Sequence, residues 1–133
     1  MQRRSAGGKR KSLPSTPQGV NVVAVGNANV DLLLYVEEAP APGEQVEALF
    51  FEKRPGGAAA NFAVAAAKLG AAASLLCCVG LDGEGEWLLR ELEKQSVNTS
   101  LALRVEAPTG FSVVVVDRRG ERAMVAYRGA NAF

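Results

Sequence analysis

The chain has no histidine among its 133 residues. This absence excludes Ser/His and Cys/His nucleophile pairs and the commonest zinc sites. Aspartate is scarce: Asp31, Asp82 and Asp117 are the only ones. Cysteine is limited to the adjacent pair Cys77 and Cys78. Neighbours on a strand point to opposite faces, so these two cannot pair with each other without severe distortion. They read as buried thiols in a reducing compartment, which fits a cytoplasmic protein. No run approaches the ~20 apolar residues of a membrane helix, so no membrane partner is expected. A secretory h-region is also lacking, and without one the sequon "NTS" at Asn98 to Ser100 carries little weight.

Negative charge is missing from the start of the chain. Arg3, Arg4, Lys9, Arg10 and Lys11 all precede the first acidic residue, Asp31. Residues 1–19 are rich in Ser, Gly and Pro and read as a disordered basic tail. An organelle-targeting peptide or a weak anion-binding arm is the other reading of that tail. The net charge is only +1, and no basic stripe with interleaved aromatics follows, so nucleic acid is not expected as a partner. What remains is a chain long enough for one domain, with 48% hydrophobic residues to build its core.

"VNVVAVG" is a β-branched run and predicts a strand buried on both faces, as at the centre of a parallel sheet. A polar break follows, and then alternation into Val36. "EEAPAPGE" is a loop, because Pro40, Pro42 and Gly43 cannot continue a ladder. "QVEALFFEKR" alternates Val46, Ala48 and Phe50 and predicts a half-exposed strand. After Gly57, Phe62, Ala65, Ala66 and Leu69 recur at helical spacing, with Gly70 placed as the C′ cap. "ASLLCCVG" predicts a second buried strand. "LDGEGEWLLRELEKQSV" predicts a helix with Trp87, Leu88 and Leu92 on one face and acids at its positive end. Strand, helix, strand and helix in that order form a right-handed parallel unit. From "LALRVEA" through "TGFSVVVVDRRGERAMVAYRG" the helical period disappears, and a hairpin turning at "DRRGE" is expected, with Gly120 at positive φ. The chain reaches Phe133 without a closing helix.

Three glycine loops invite a nucleotide reading, and each fails. "GGAAAN" lacks the Gly-Lys-Ser/Thr ending of a P-loop. "GNANVD" follows a strand but lacks the further glycines of a dinucleotide fingerprint. "DGEGE" alternates acids as a calcium loop does, yet the later ligand positions run into Trp87 and leucines.

The polar residues suggest another use. Asn29 and Asp31 are expected just beyond the carboxyl end of the first strand, and Gly56, Gly57 and Asn61 open the following helix. Ligands of doubly wound sheets bind at the carboxyl ends of strands. Asn and Asp together offer donors and acceptors for vicinal hydroxyls, and glycines allow close approach to the backbone. A sugar or polyol pocket is one reading. The other is structural: Asn29 and Asp31 cap a turn, and Asn61 bonds a neighbouring loop. Spacing alone leaves both open.

"VGNANVD", "PGGAAANFAVAAAKLG", "VGLDGEG" and "PTGFSVVVVDRRGERAMVAYRGAN" resemble, in order, N-terminal landmarks of the ribokinase-like (PfkB) carbohydrate kinases. The resemblance runs from about Val20 to Asn131. It implies an α/β fold: part of a doubly wound, Rossmann-like parallel sheet over residues 20–133, with a small β lid. The lid strands would lie near 45–54 and 101–127, and such lids often form homodimer interfaces. Asp31 would bind sugar hydroxyls, with Asn29, Gly56, Gly57 and Asn61 lining the same pocket.

The sequence departs from this pattern in two ways. Ribose-specific members commonly carry Lys one residue after the second glycine, where Ala58 stands here. Ribose is therefore not favoured over fructose, ketodeoxy sugars or nucleosides. The family's catalytic Asp, in a Gly-Ala-Gly-Asp loop, has no counterpart in these residues. The resemblance assigns that base, the ATP site and the acidic motif organising Mg²⁺ to a C-terminal half absent from this sequence. The expectation is the sugar-binding part of a carbohydrate kinase, inactive alone because phosphoryl transfer depends on positioning and on stabilising the phosphate. The rivals are a non-catalytic sugar-binding or dimerisation module and a nucleic-acid accessory protein acting through the basic tail.

Overall fold

The computed structural model describes residues 19–133; the basic tail expected over 1–19 lies outside them except for Gly19. The strands are β1 (Asn21–Val25), β2 (Asn29–Tyr35), β3 (Phe50–Gly56), β4 (Ala72–Leu76), β5 (Cys78–Gly80), β6 (Leu103–Val105), β7 (Phe111–Val116) and β8 (Arg122–Tyr127). The helices are α1 (Ala58–Lys68) and α2 (Gly83–Lys94), and a 3₁₀ turn spans Gly129–Ala132. No helix of the described residues is long and apolar enough to cross a membrane.

These elements make two regions. In the first, β1 pairs in parallel with β4, from Asn21 opposite Ala72 to Val25 opposite Leu76. β5 pairs in parallel with β6, and an isolated parallel bridge joins Ser74 to Asn98. Helices α1 and α2 pack on these strands around Ala24, Val30, Leu75, Val79, Leu88, Leu92 and Val97. In the second region, four strands form one sheet in the order β3-β2-β7-β8. There β2 is antiparallel to β3 and parallel to β7. Strands β2 and β3 both lie between β1 and α1 in the chain, so the second sheet grows out of the first β–α crossover.

Local chemistry explains the element ends. Gly70 has φ 92°, which suits a residue without a side chain. Its N–H donates to Ala67 O at 3.0 Å and Ala71 N–H donates to Ala66 O at 3.1 Å, closing α1 in a Schellman motif as the sequence predicts. Asp82 caps α2 by accepting from Gly85 N at 2.9 Å. The turn from β7 to β8 is the expected one: Asp117 N–H donates to Glu121 O, and Gly120 sits at φ 81°.

Several expectations are corrected. β1 is covered on one face only: Ala24 is buried, but Val23 is 56% and Val25 69% exposed. The predicted apolar stripe of α1 is displaced. Ala59, Ala60 and Ala63 are buried, whereas Phe62 and Leu69 point outward. Small side chains let the helix axis approach the sheet closely, so the alanine face wins over the bulkier one. The strand expected from Gln45 begins only at Phe50, and it runs on through Gly56. "ASLLCCVG" breaks at Cys77 into β4 and β5. Leu103–Val105, expected with the lid strands, instead extends the parallel region beside β5.

Candidate functional site

Asn29 and Asp31 do not stand on a loop after the first strand. Both lie on β2, two residues apart, and so on one face of the second sheet. Asn29 is opposite Gly56 on β3, and Asp31 is opposite Arg54 on β3 and Ser112 on β7. Burial raises the Asp31 carboxyl above its ordinary value.

The glycines serve the protein's own packing. A Cβ on Gly56 would collide with the Asp31 carboxylate, so the missing side chain is the space Asp31 occupies. Gly57 has φ 96°, and a Cβ there would strike the Asn27 carbonyl and Ala28 Cα. The same Asn27 carbonyl accepts from Ala60 N at 3.3 Å. An amide at the start of α1, where an anion would otherwise dock, is thus already engaged by the chain itself. Asn61 lies on the exposed side of α1, beside a hollow shared with Arg54, Pro55, Val64, Ala65, Lys68 and Gln95. The structure therefore brings Asn29, Asp31 and Gly56 together and places Asn61 on the neighbouring helix.

Sequence reasoning missed two supports of this face. Asn131, on the 3₁₀ turn, accepts from Ala28 N at 3.2 Å through Oδ1 and donates to Ala28 O at 3.3 Å through Nδ2. Its Nδ2 also donates to Asn29 Oδ1. The turn is seated by Ala130 N–H donating to Pro108 O at 2.7 Å. Next to Pro108, Thr109 is buried and donates to Asp82 from both its hydroxyl, at 2.6 Å, and its amide, at 2.9 Å. The Thr109 hydroxyl oxygen in turn accepts from Gly80 N at 2.9 Å. Burial raises the Asp82 carboxyl, but these donors and Gly85 N–H outweigh it and hold the group below its usual range. The sequence signal was present as polar "PTG" and "GAN" islands, but their partners lie far away in the chain.

Cys77 is buried and Cys78 partly so; both are free thiols. Burial, and then the neighbouring Cys78, push the Cys77 thiol up to about 11, which suits an inert core residue. Among the described residues no group of three or more His, Cys, Asp or Glu is gathered to hold a metal ion. No chemical step is assigned to these residues through a nucleotide or a metal ion.

A parallel β-α-β unit carrying a second sheet, with polar residues converging where the two regions meet, defines an α/β sugar-kinase type of fold. The family model for pfkB family carbohydrate kinases matches residues 20–133, and the chain belongs to that family. It is 34% identical over 113 residues to a ribokinase of Mus musculus, covering 84% of this chain and 35% of the relative. It is 33% identical over 115 residues to a deoxyribokinase of Salmonella typhi, covering 86% and 38% respectively. Among solved structures, a ribokinase of Thermotoga maritima matches with TM-score 0.73 and 33% identity, over 84% of this chain and 37% of that one. The Arabidopsis thaliana ribokinase complexed with ribose and ATP matches with TM-score 0.73 and 30% identity, over 85% and 37%. The chain thus spans little more than a third of the length of these relatives.

Proposed function

We propose that this chain is the sugar-binding portion of an ATP-dependent carbohydrate kinase. The observation that carries the reading is the convergence of Asn29 and Asp31 on one face beside Gly56, with Asn29 held from behind by Asn131. In this reading the Asp31 carboxylate accepts hydrogen bonds from sugar hydroxyls and the Asn29 amide contacts a neighbouring one. Gly56 and Gly57 act by letting Asp31 and Asn27 approach, and Asn61 reaches the sugar from α1. The four-stranded sheet is the lid over the sugar. ATP, Mg²⁺ and the base that activates the attacking hydroxyl belong to residues other than these. The free thiols motivate a reducing, cytoplasmic setting as part of the same proposal.

Titration of the purified chain with D-ribose and D-fructose tests this reading. Binding is expected, and Asp31→Ala should weaken it about ten-fold or more, as loss of a hydrogen-bonding charged group does. Because the Asp31 carboxyl is raised, binding should fall as acidification protonates it, beginning above the ordinary aspartate range. No sugar phosphorylation by this chain with ATP and Mg²⁺ is expected; robust turnover would overturn the assignment of catalysis elsewhere. A second reading, a non-catalytic module that binds sugar or dimerises, is favoured by the apolar surface of the four-stranded sheet. Phe51, Met124, Val125 and Tyr127 are all exposed there. Sedimentation showing a dimer that Val125→Asp dissociates would support dimerisation through the lid, whereas a monomer at all concentrations would exclude it.

A further inference from the structure

Asn131 makes a three-way contact whose polarity is dictated by the backbone. Ala28 N–H can only donate and Ala28 C=O can only accept, so Asn131 must present Oδ1 to the first and Nδ2 to the second. The second hydrogen of Nδ2 is then directed at Asn29, which must meet it with Oδ1. This leaves both hydrogens of Asn29 Nδ2 for another partner, on the face shared with the Asp31 acceptor. Gly110 keeps the arrangement possible. A Cβ there would strike Asn131 Nδ2 and lie 3.0 Å from Asn29 Oδ1.

We infer that Asn131 is a positioning residue: it locks the Asn29 amide with its donor end toward the substrate, beside the Asp31 carboxylate. The inference rests on the sugar-binding reading above and assigns Asn131 no direct contact with sugar. A residue of the last turn thereby sets the hydrogen-bonding polarity of a site built near the start of the chain.

A double-mutant cycle on the purified chain, with D-ribose and D-fructose as probes, tests it. Asn29→Ala should weaken sugar binding on the order of ten-fold. Asn131→Ala should have a similar effect, and the double variant should bind no more weakly than Asn29→Ala alone, because both remove one oriented donor. Independent, additive losses would show that Asn131 acts only through general stability and would overturn the inference. If Asn131→Ala does not fold, side-chain amide resonances of the unaltered chain decide the matter. Sugar should shift the Asn29 NH₂ signals and leave those of Asn131 in place; a shift at Asn131 alone, or at neither, overturns it. Asp31→Ala separates the two levels. Undiminished binding by that variant sinks the sugar-site reading itself, whereas weakened binding with an inert Asn131→Ala sinks only the positioning role.

Discussion

In the parallel region, Leu75, Leu88 and Leu92 have no exposed surface, whereas in the four-stranded sheet Val125 is 75% and Phe51 65% exposed. Both regions draw on similar apolar residues, yet only the parallel region gathers a large buried core, and even there Val23 and Val25 of β1 stay exposed. The difference lies in what packs on each set of strands. The chain lays α1 and α2 on the parallel strands, and their apolar faces cover one side of them. After β2 and β7 it supplies another strand, so the second sheet keeps only the small cluster of Leu33, Val114 and Val116, with Tyr35 packed against it. Stability is therefore expected to reside in the parallel region, and recognition in the sheet beside it.

Truncations in the two regions give the strongest way to break this contrast. Leu88→Ala should cost about 3 kcal/mol in urea unfolding, because it empties a filled core position. Val125→Ala should change stability by no more than about 0.5 kcal/mol. Equal losses at the two positions would mean that the outer sheet is covered in solution.

The second test concerns the polar tie that seats the last turn. Asp82→Ala removes the α2 cap and three donors' acceptor, so a loss of about 2 kcal/mol is expected at neutral pH. Its carboxyl lies lower in the folded than in the unfolded chain. Its contribution is thus complete above the ordinary aspartate value of 3.8 and is lost as pH falls through the lower folded value. Acid titration of unfolding should show this loss in the unaltered chain and not in Asp82→Ala.

The smallest expected effect is at the junction. Lys53 of β3 pairs with Glu84 of α2 at 2.7 Å and lies over the Trp87 ring at 4.2 Å. Lys53→Met keeps the stem but removes the charge, and should cost roughly 0.5–1 kcal/mol. Trp87 is the sole tryptophan, so its emission reports this contact directly. Unchanged emission in Lys53→Met would show that the two regions do not meet there in solution.

Much of this was legible because its causes are local. The Schellman end at Gly70, the acidic start of α2 and the Gly120 turn each depend on residues within a few positions. Asn29 and Asp31 could be singled out from spacing, but their shared strand could not, because β2 is defined by partners as distant as Phe111 and Val116. The same holds for the α1 stripe. Phe62 and Leu69 satisfied the helical period as well as the alanines did, and only the closeness of the sheet selected between them. The sequence reads Gly56 and Gly57 as room for a ligand to approach the backbone; in the structure the atoms their Cβ would meet are those of Asp31 and of Asn27 and Ala28.

Composition and short-range pattern thus determine the element types, their caps, the absence of histidine chemistry and the resemblance to sugar kinases. Tertiary structure decides which face of each element is buried, that β6 joins the parallel strands, and that Asn131 meets Asn29. The physical reason is range. Capping and turn formation act over a few bonds, whereas burial and side-chain hydrogen bonding depend on neighbours that the chain brings together only when it folds.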